Sequence, residues 1–128
     1  MNLFWVCVGG AAGSGARFLL SVWMLERFGP IFPLGTLTVN LLGSFLLGGL
    51  MFAGIRAGML PPALWLGLTT GVMGGFTTYS AFSYETMRYL QEGAWTMAAA
   101  YVGATLVGCL LASLLGWSLV EWWVGAAA

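Results

Sequence analysis

The chain has 128 residues, 60% of them hydrophobic and 6% charged; its four arginines balance four glutamates, and it has no lysine and no histidine. A soluble domain carries about 25% charged residues, so this composition belongs to an integral membrane protein. No basic patch offers itself to nucleic acid, and four carboxylates without histidine leave little for acid-base or metal chemistry, which argues against an enzyme.

A membrane helix needs about 20 mostly apolar residues, and four such segments follow one another. The first covers residues 3–25 and holds one charge, Arg17. Met1-Asn2-Leu3-Phe4 lacks the positive region of a cleaved signal peptide, so this helix reads as retained. The turn Glu26-Arg27-Phe28-Gly29-Pro30 leads to a second segment over 32–55, closed by Arg56-Ala57-Gly58. Pro61-Pro62 opens a third segment over 62–89, since proline is accepted in a first helical turn. Gln91-Glu92-Gly93 makes the next turn, and the fourth segment covers 95–123. The tryptophans lie mostly near segment ends, as an aromatic belt does. Cys7 and Cys109 both fall in apolar segments, without metal-ligand company, and no structural disulfide is expected. The expected fold is a single all-α domain of four transmembrane helices.

The third segment contains Gly71-Val72-Met73-Gly74-Gly75-Phe76-Thr77-Thr78. Each glycine weakens a helix by about 1 kcal/mol relative to alanine, and the two β-branched threonines add restricted rotamers. Irregular backbone at membrane depth survives only inside protein or along a wet cavity. A break here would therefore sit in the interior of an assembly. The alternative is a straight helix that uses its glycines for close packing.

The charges bear on orientation. Both termini and the loop at Arg56 share one side of the membrane, and the loops at Arg27 and Arg88 share the other. The difference is one arginine, so the positive-inside rule has almost nothing to act on. Insertion in both orientations, giving an antiparallel homodimer, is one consequence; a fixed topology with weak signals is the other.

Polar residues recur inside the helices. Thr36, Asn40, Ser44 and Gly48 follow at four-residue spacing, as do Tyr101, Thr105, Cys109 and Ser113, so each set shares a helix face. Asn40 is either an interhelical hydrogen-bonding glue or a donor facing a transport path. The hydroxyls either bond back to their own carbonyls or line that path. Tyr79 and Phe82, three apart, share a face for packing or for the path. Arg17 at helix centre demands a partner or a role, and a structural ion pair with Glu85 is the favoured reading. Asn40, Thr105, Ser80 and Tyr101 are neutral donors, and aromatic ring edges are weakly positive. Such groups suit a small anion that must both enter and leave.

At this point the residues resemble a known family, the Fluc/CrcB fluoride channels. Gly74-Gly75-Phe76-Thr77-Thr78-Tyr79-Ser80-Ala81-Phe82-Ser83-Tyr84-Glu85-Thr86 is similar to their signature GGxTTFSTFSxET, and Gly35-Thr36-Leu37-Thr38-Val39-Asn40-Leu41-Leu42-Gly43 to their GTLxVNxxG. Gly15-Ala16-Arg17-Phe18 resembles their first-helix motif. The resemblance implies an antiparallel dual-topology homodimer in a bacterial-type plasma (inner) membrane, with two pores that passively export fluoride. It implies that Asn40 donates to the ion, that Tyr79 and Phe82 stand at the pore phenylalanines, and that Tyr101 and Thr105 match the fourth-helix polar residues. It also implies that Gly74 and Thr77 carbonyls hold a structural, untransported sodium ion at the dimer interface; oxygen ligands suit such a hard cation. Two residues depart from the pattern. Tyr79 adds a phenol, and Cys109 puts a weaker donor where a serine is expected. A proton-coupled multidrug exporter would need a carboxylate within its first helix, but the first acid is Glu26, at a helix end. A non-transporting assembly subunit is the other competing reading.

Overall fold

The computed structural model describes residues 2–127. It is built from helices that cross the molecule four times. Helix α1 spans Asn2–Phe28, and α2 spans Leu34–Met51 and is prolonged by a wider π-helical turn over Phe52–Arg56. The third crossing comes in pieces: α3 (Pro62–Leu66), a π-helical stretch (Gly67–Met73), the single turn α4 (Gly74–Phe76), and α5 (Tyr79–Gln91). Helix α6 spans Trp95–Ala127. Residues 2–28, 34–56 and 95–127 are each long and apolar enough to cross a membrane. The interrupted third crossing completes the four.

The helix ends follow from local chemistry. Gly29 and Gly93 adopt left-handed backbone, with φ of 76° and 73°, where a side chain would be strained. Behind Gly93 the Ala94 amide bonds back to the Tyr89 carbonyl at 2.8 Å, closing α5 in the manner of a Schellman cap. Pro62 sits in the first turn of α3, where its missing N–H is not needed.

Two glycine-rich seams bring backbones together. Helix α1 lies against the first half of the third crossing, with Gly9 and Gly13 buried. A methyl group at Gly71 would meet the Val6 carbonyl at 2.9 Å, and one at Gly75 would meet Cα of Gly10 at 3.1 Å. Across the molecule α2 packs on α6, where Gly48 faces the backbone of Ser113 and Gly116 faces that of Phe45. Association between helices in lipid gains nothing from hydrophobic burial, so close backbone approach of this kind supplies the attraction. Between α5 and α6 the core is aromatic: Phe82, Tyr89 and Tyr101 are buried, and Tyr101 is completely enclosed.

The break in the third crossing falls at Thr77 and Thr78, whose backbones are extended (φ −80°, ψ 157° and φ −150°, ψ 111°). Gly74 and Gly75 remain helical. Both expectations for this stretch are thus met by different residues: the threonines leave the helix, while Gly71 and Gly75 pack closely on α1.

Candidate functional site

The break is held from α2. Asn40 is buried and accepts the Thr78 amide on Oδ1 at 2.8 Å, while its Nδ2 donates to the Thr78 carbonyl at 3.1 Å. One side-chain amide thus satisfies both polar groups of one extended residue, as a neighbouring strand would. An amide nitrogen carries two hydrogens, so Asn40 keeps one N–H beyond this pairing. Thr78 then caps α5: its Oγ1 accepts the Ala81 amide at 3.2 Å and lies 3.2 Å from Ser80 Oγ.

These two bonds redirect the amides that a continuous helix would use. In such a helix the Thr78 N–H would bond to Gly74 and the Ala81 N–H to Thr77. Here they go to Asn40 and to the Thr78 hydroxyl. The carbonyls of Gly74 and Thr77 therefore lose their ordinary helical donors. Gly74 is also exposed, with nothing within 4 Å of where a side chain would begin. No group of three or more His, Cys, Asp or Glu side chains among the described residues could hold a metal. A cation at this place would rest on carbonyl oxygen, as a hard ion prefers.

A cavity of about 370 Å³ opens beside the break. Asn40, Tyr79, Phe82, Thr105 and Cys109 all line it, with the extended Thr77 and Thr78. Thr105 is buried, and its hydroxyl has no hydrogen-bond partner. A buried hydroxyl without a partner is costly, and this one belongs to the wall of a cavity. Tyr79 is 75% exposed, and its ring stands 5.5 Å from that of Phe82, tilted by 54°. Phe82 in turn stands 5.3 Å from the ring of Tyr101. A run of aromatic rings thus leads from the surface into the core.

Ser80 and Tyr101 lie outside the cavity wall. Ser80 is exposed beside Thr78. The Tyr101 hydroxyl donates to Glu85 Oε2 at 2.6 Å, and Thr36 Oγ1 donates to Glu85 Oε1 at 2.8 Å. Glu85 therefore takes two hydroxyls, from α2 and α6, and the expected pairing with Arg17 is not formed. The reason lies in the packing. Helix α1 touches the first half of the third crossing, and Glu85 belongs to the second. The one ion pair among the described residues joins Arg88 to Glu92 at 3.7 Å, between exposed side chains. Glu85 and Arg88 also line a second cavity of about 230 Å³, with Thr36 and Ser21, near the turn that links α1 to α2.

The two columns of polar residues on α2 and α6 face each other. Thr36 and Tyr101 meet through Glu85, and Asn40 and Thr105 share the larger cavity. Ser113 Oγ donates to the Ser44 carbonyl at 3.0 Å. The bonds back to a carbonyl four residues earlier are made elsewhere, by Thr69, Thr77 and Thr86. Sequence reasoning missed the cap at Thr78 and the fit of Gly43, where a methyl group would collide with Cγ2 of Thr77. The signals were present as a threonine three residues before a helical alanine, and as an Asn-x-x-Gly spacing.

A family model described as "CrcB-like protein, Camphor Resistance (CrcB)" matches residues 4–117. The chain belongs to the CrcB family. It is 55% identical over 124 residues to a protein of Anaeromyxobacter sp. (strain K) named fluoride-specific ion channel FluC, covering 97% of this chain and 98% of that one. FluC of Anaeromyxobacter dehalogenans (strain 2CP-1 / ATCC BAA-258) is 54% identical over the same shares. FluC of Sorangium cellulosum (strain So ce56) is 52% identical over 88% of this chain and 89% of that one. These names describe ion channels and not enzymes.

Proposed function

We propose that this CrcB protein is a fluoride channel of the bacterial inner membrane, working as an antiparallel homodimer that lets fluoride leave the cytoplasm passively. The relatives named above carry the name of fluoride-specific channels, and this chain matches 89–98% of their length. The observation that carries the reading is the cavity beside the break. It joins the remaining N–H of Asn40, the unpartnered hydroxyl of Thr105 and the rings of Tyr79 and Phe82. Neutral donors can replace the hydration of a small anion without the deep trap that a fixed lysine would make. The N-terminus of α5 also opens at this depth, and a half-helix N-terminus favours negative charge. Ser80 and Tyr101 would serve the path from its margins, Ser80 beside the cap and Tyr101 beyond Phe82. Arg17 and Glu85 would act as structural or vestibule charges.

The sodium reading has its own support. Gly74 and Thr77 are the residues whose carbonyls lose their helical donors. Two such carbonyls from each of two copies would make an oxygen cage on a two-fold axis. A bound cation would supply only positive charge there, joining the copies without being transported. Purified protein in liposomes loaded with fluoride tests the function directly. Fluoride efflux that needs no proton gradient is the expected result. Absence of efflux would leave an assembly subunit, and efflux only on exchange for protons would point to a coupled exporter.

A further inference from the structure

Asn40 and Gly43 lie three residues apart and so share one face of α2. The two break residues meet that face in different ways. Thr78 is held through its backbone by the Asn40 amide, at 2.8 and 3.1 Å. Thr77 is seated through its methyl group: a side chain at Gly43 would strike Thr77 Cγ2, with Phe76 Cδ1 next at 3.3 Å and Thr77 Cβ at 3.7 Å. Thr77 Oγ1 meanwhile bonds to the Met73 carbonyl at 2.9 Å, which fixes the rotamer that turns the methyl toward α2. Gly43 is itself buried. We propose that Asn40 and Gly43 form a socket on α2 that sets the position of the break, and that Gly43 is a positioning residue for both the fluoride path and the carbonyls of Gly74 and Thr77. The proposal rests on the channel and sodium readings above and adds what holds their parts in register.

The physical case is one of competition. The Thr78 N–H has two acceptors within its reach, the Gly74 carbonyl in a straight helix and Asn40 Oδ1 in the broken one. Asn40 alone offers the better-satisfied choice, because it also serves the Thr78 carbonyl. It can do so only if Thr77 comes close enough to α2, and the missing side chain of Gly43 permits that approach. A methyl group at residue 43 pushes the break away and weakens the Asn40 pairing without touching Asn40.

The test uses Gly43→Ala, Thr77→Ser and the double variant. Thr77→Ser keeps the hydroxyl that bonds to Met73 and removes the methyl that fills the socket. After that removal the tightest remaining approaches to the added methyl at residue 43 are Phe76 Cδ1 at 3.3 Å, which a small shift of the ring relieves, and Cβ of residue 77 at 3.7 Å, an ordinary contact. Two readouts are taken: fluoride efflux from liposomes, and melting of the purified protein against sodium concentration. Gly43→Ala should lower efflux by about tenfold and raise the sodium needed for half of the melting shift by a similar factor. The double variant should return to the level of Thr77→Ser alone in both. Should Gly43→Ala fail to assemble, recovery of dimer in the double variant supports the socket. Gly43→Ala behaving as wild type, or a double variant no better than Gly43→Ala, overturns it. If sodium leaves wild-type melting unchanged while efflux shows loss and rescue, the sodium reading fails and the socket stands. If sodium shifts wild type and Gly43→Ala alike, the sodium reading stands and the socket fails.

Discussion

Asn40→Ala removes both bonds to Thr78 and leaves its buried N–H without a partner in the broken state, since Thr78 is only 8% exposed. Each unsatisfied group costs about 1–3 kcal/mol. The Thr78 N–H has a refuge, because it can close onto the Gly74 carbonyl if the helix straightens. The Thr78 carbonyl is not at stake in the same way, because as the N-cap carbonyl of α5 it accepts the first helical amide, that of Phe82, in either state. About 1–3 kcal/mol therefore shifts against the broken state, roughly fivefold to a hundred-and-fiftyfold in its population. Fluoride efflux should fall within that range. Asn40→Asp is the companion variant. It keeps an acceptor for the Thr78 N–H but sets a carboxyl oxygen against the Thr78 carbonyl, and it lacks the remaining amide N–H; efflux should drop by at least about tenfold. Efflux is measured with a fluoride electrode outside loaded liposomes, and size-exclusion elution controls for assembly. Near-normal efflux from a well-folded Asn40→Ala dimer would refute both the clamp and the donor role.

Three other outcomes are expected. A reporter fused to the C-terminus should read out on both faces of the membrane, and two lysines added beside Arg56 should hold that loop in the cytoplasm; a single orientation with parallel subunits contradicts dual insertion. Replacing sodium by a large organic cation should slow efflux or weaken the dimer, whereas a measured sodium-to-fluoride transport ratio would rule out a purely structural ion. Tyr101→Phe keeps the ring packing and removes the 2.6 Å bond to Glu85, so melting stability should fall by about 1.5–3 kcal/mol, the range for a bond to a charged group. Unchanged melting would show that Thr36 alone suffices to hold Glu85.

Four crossings and the interruption of the third were legible from hydropathy, turn residues and the glycine-threonine run. What composition blurred was which residues break the helix. Glycine propensity pointed at Gly74 and Gly75, yet a helix tolerates glycines when a neighbour rewards close approach, and α1 does so at Gly71 and Gly75. The threonines leave the helix because α2 offers Thr78 a better partner than its own helix does, and that partner lies 38 residues away. Periodicity grouped Asn40 with the α2 column and Thr105 with the α6 column but could not say that they share one cavity. It left Arg17 beside Glu85 on the argument that charges need partners. The structure answers Glu85 with two hydroxyls instead. An ion pair is only one way to satisfy a carboxylate, and two donors on flanking helices reach it more directly than a side chain from α1.

A single break can serve ions of both signs, and the reason is the polarity of the two half-helices. The first half ends at Phe76 with carbonyls that have lost their donors, which is the negative end of a helix dipole. The second half begins at Tyr79 with amide hydrogens, which is the positive end. Only two residues, Thr77 and Thr78, separate the two ends. The carbonyl end suits a hard cation and the amide end an anion, so the proposed sodium and fluoride positions need no charged side chain of their own. The two backbone ends supply that preference without drawing on any of the four arginines or four glutamates. This polarity also explains why α2 must be exact there. A socket that let Thr78 slip back into the helix would cancel both ends at once, since the carbonyl of Gly74 and the amide of Thr78 would then neutralise each other in an ordinary hydrogen bond.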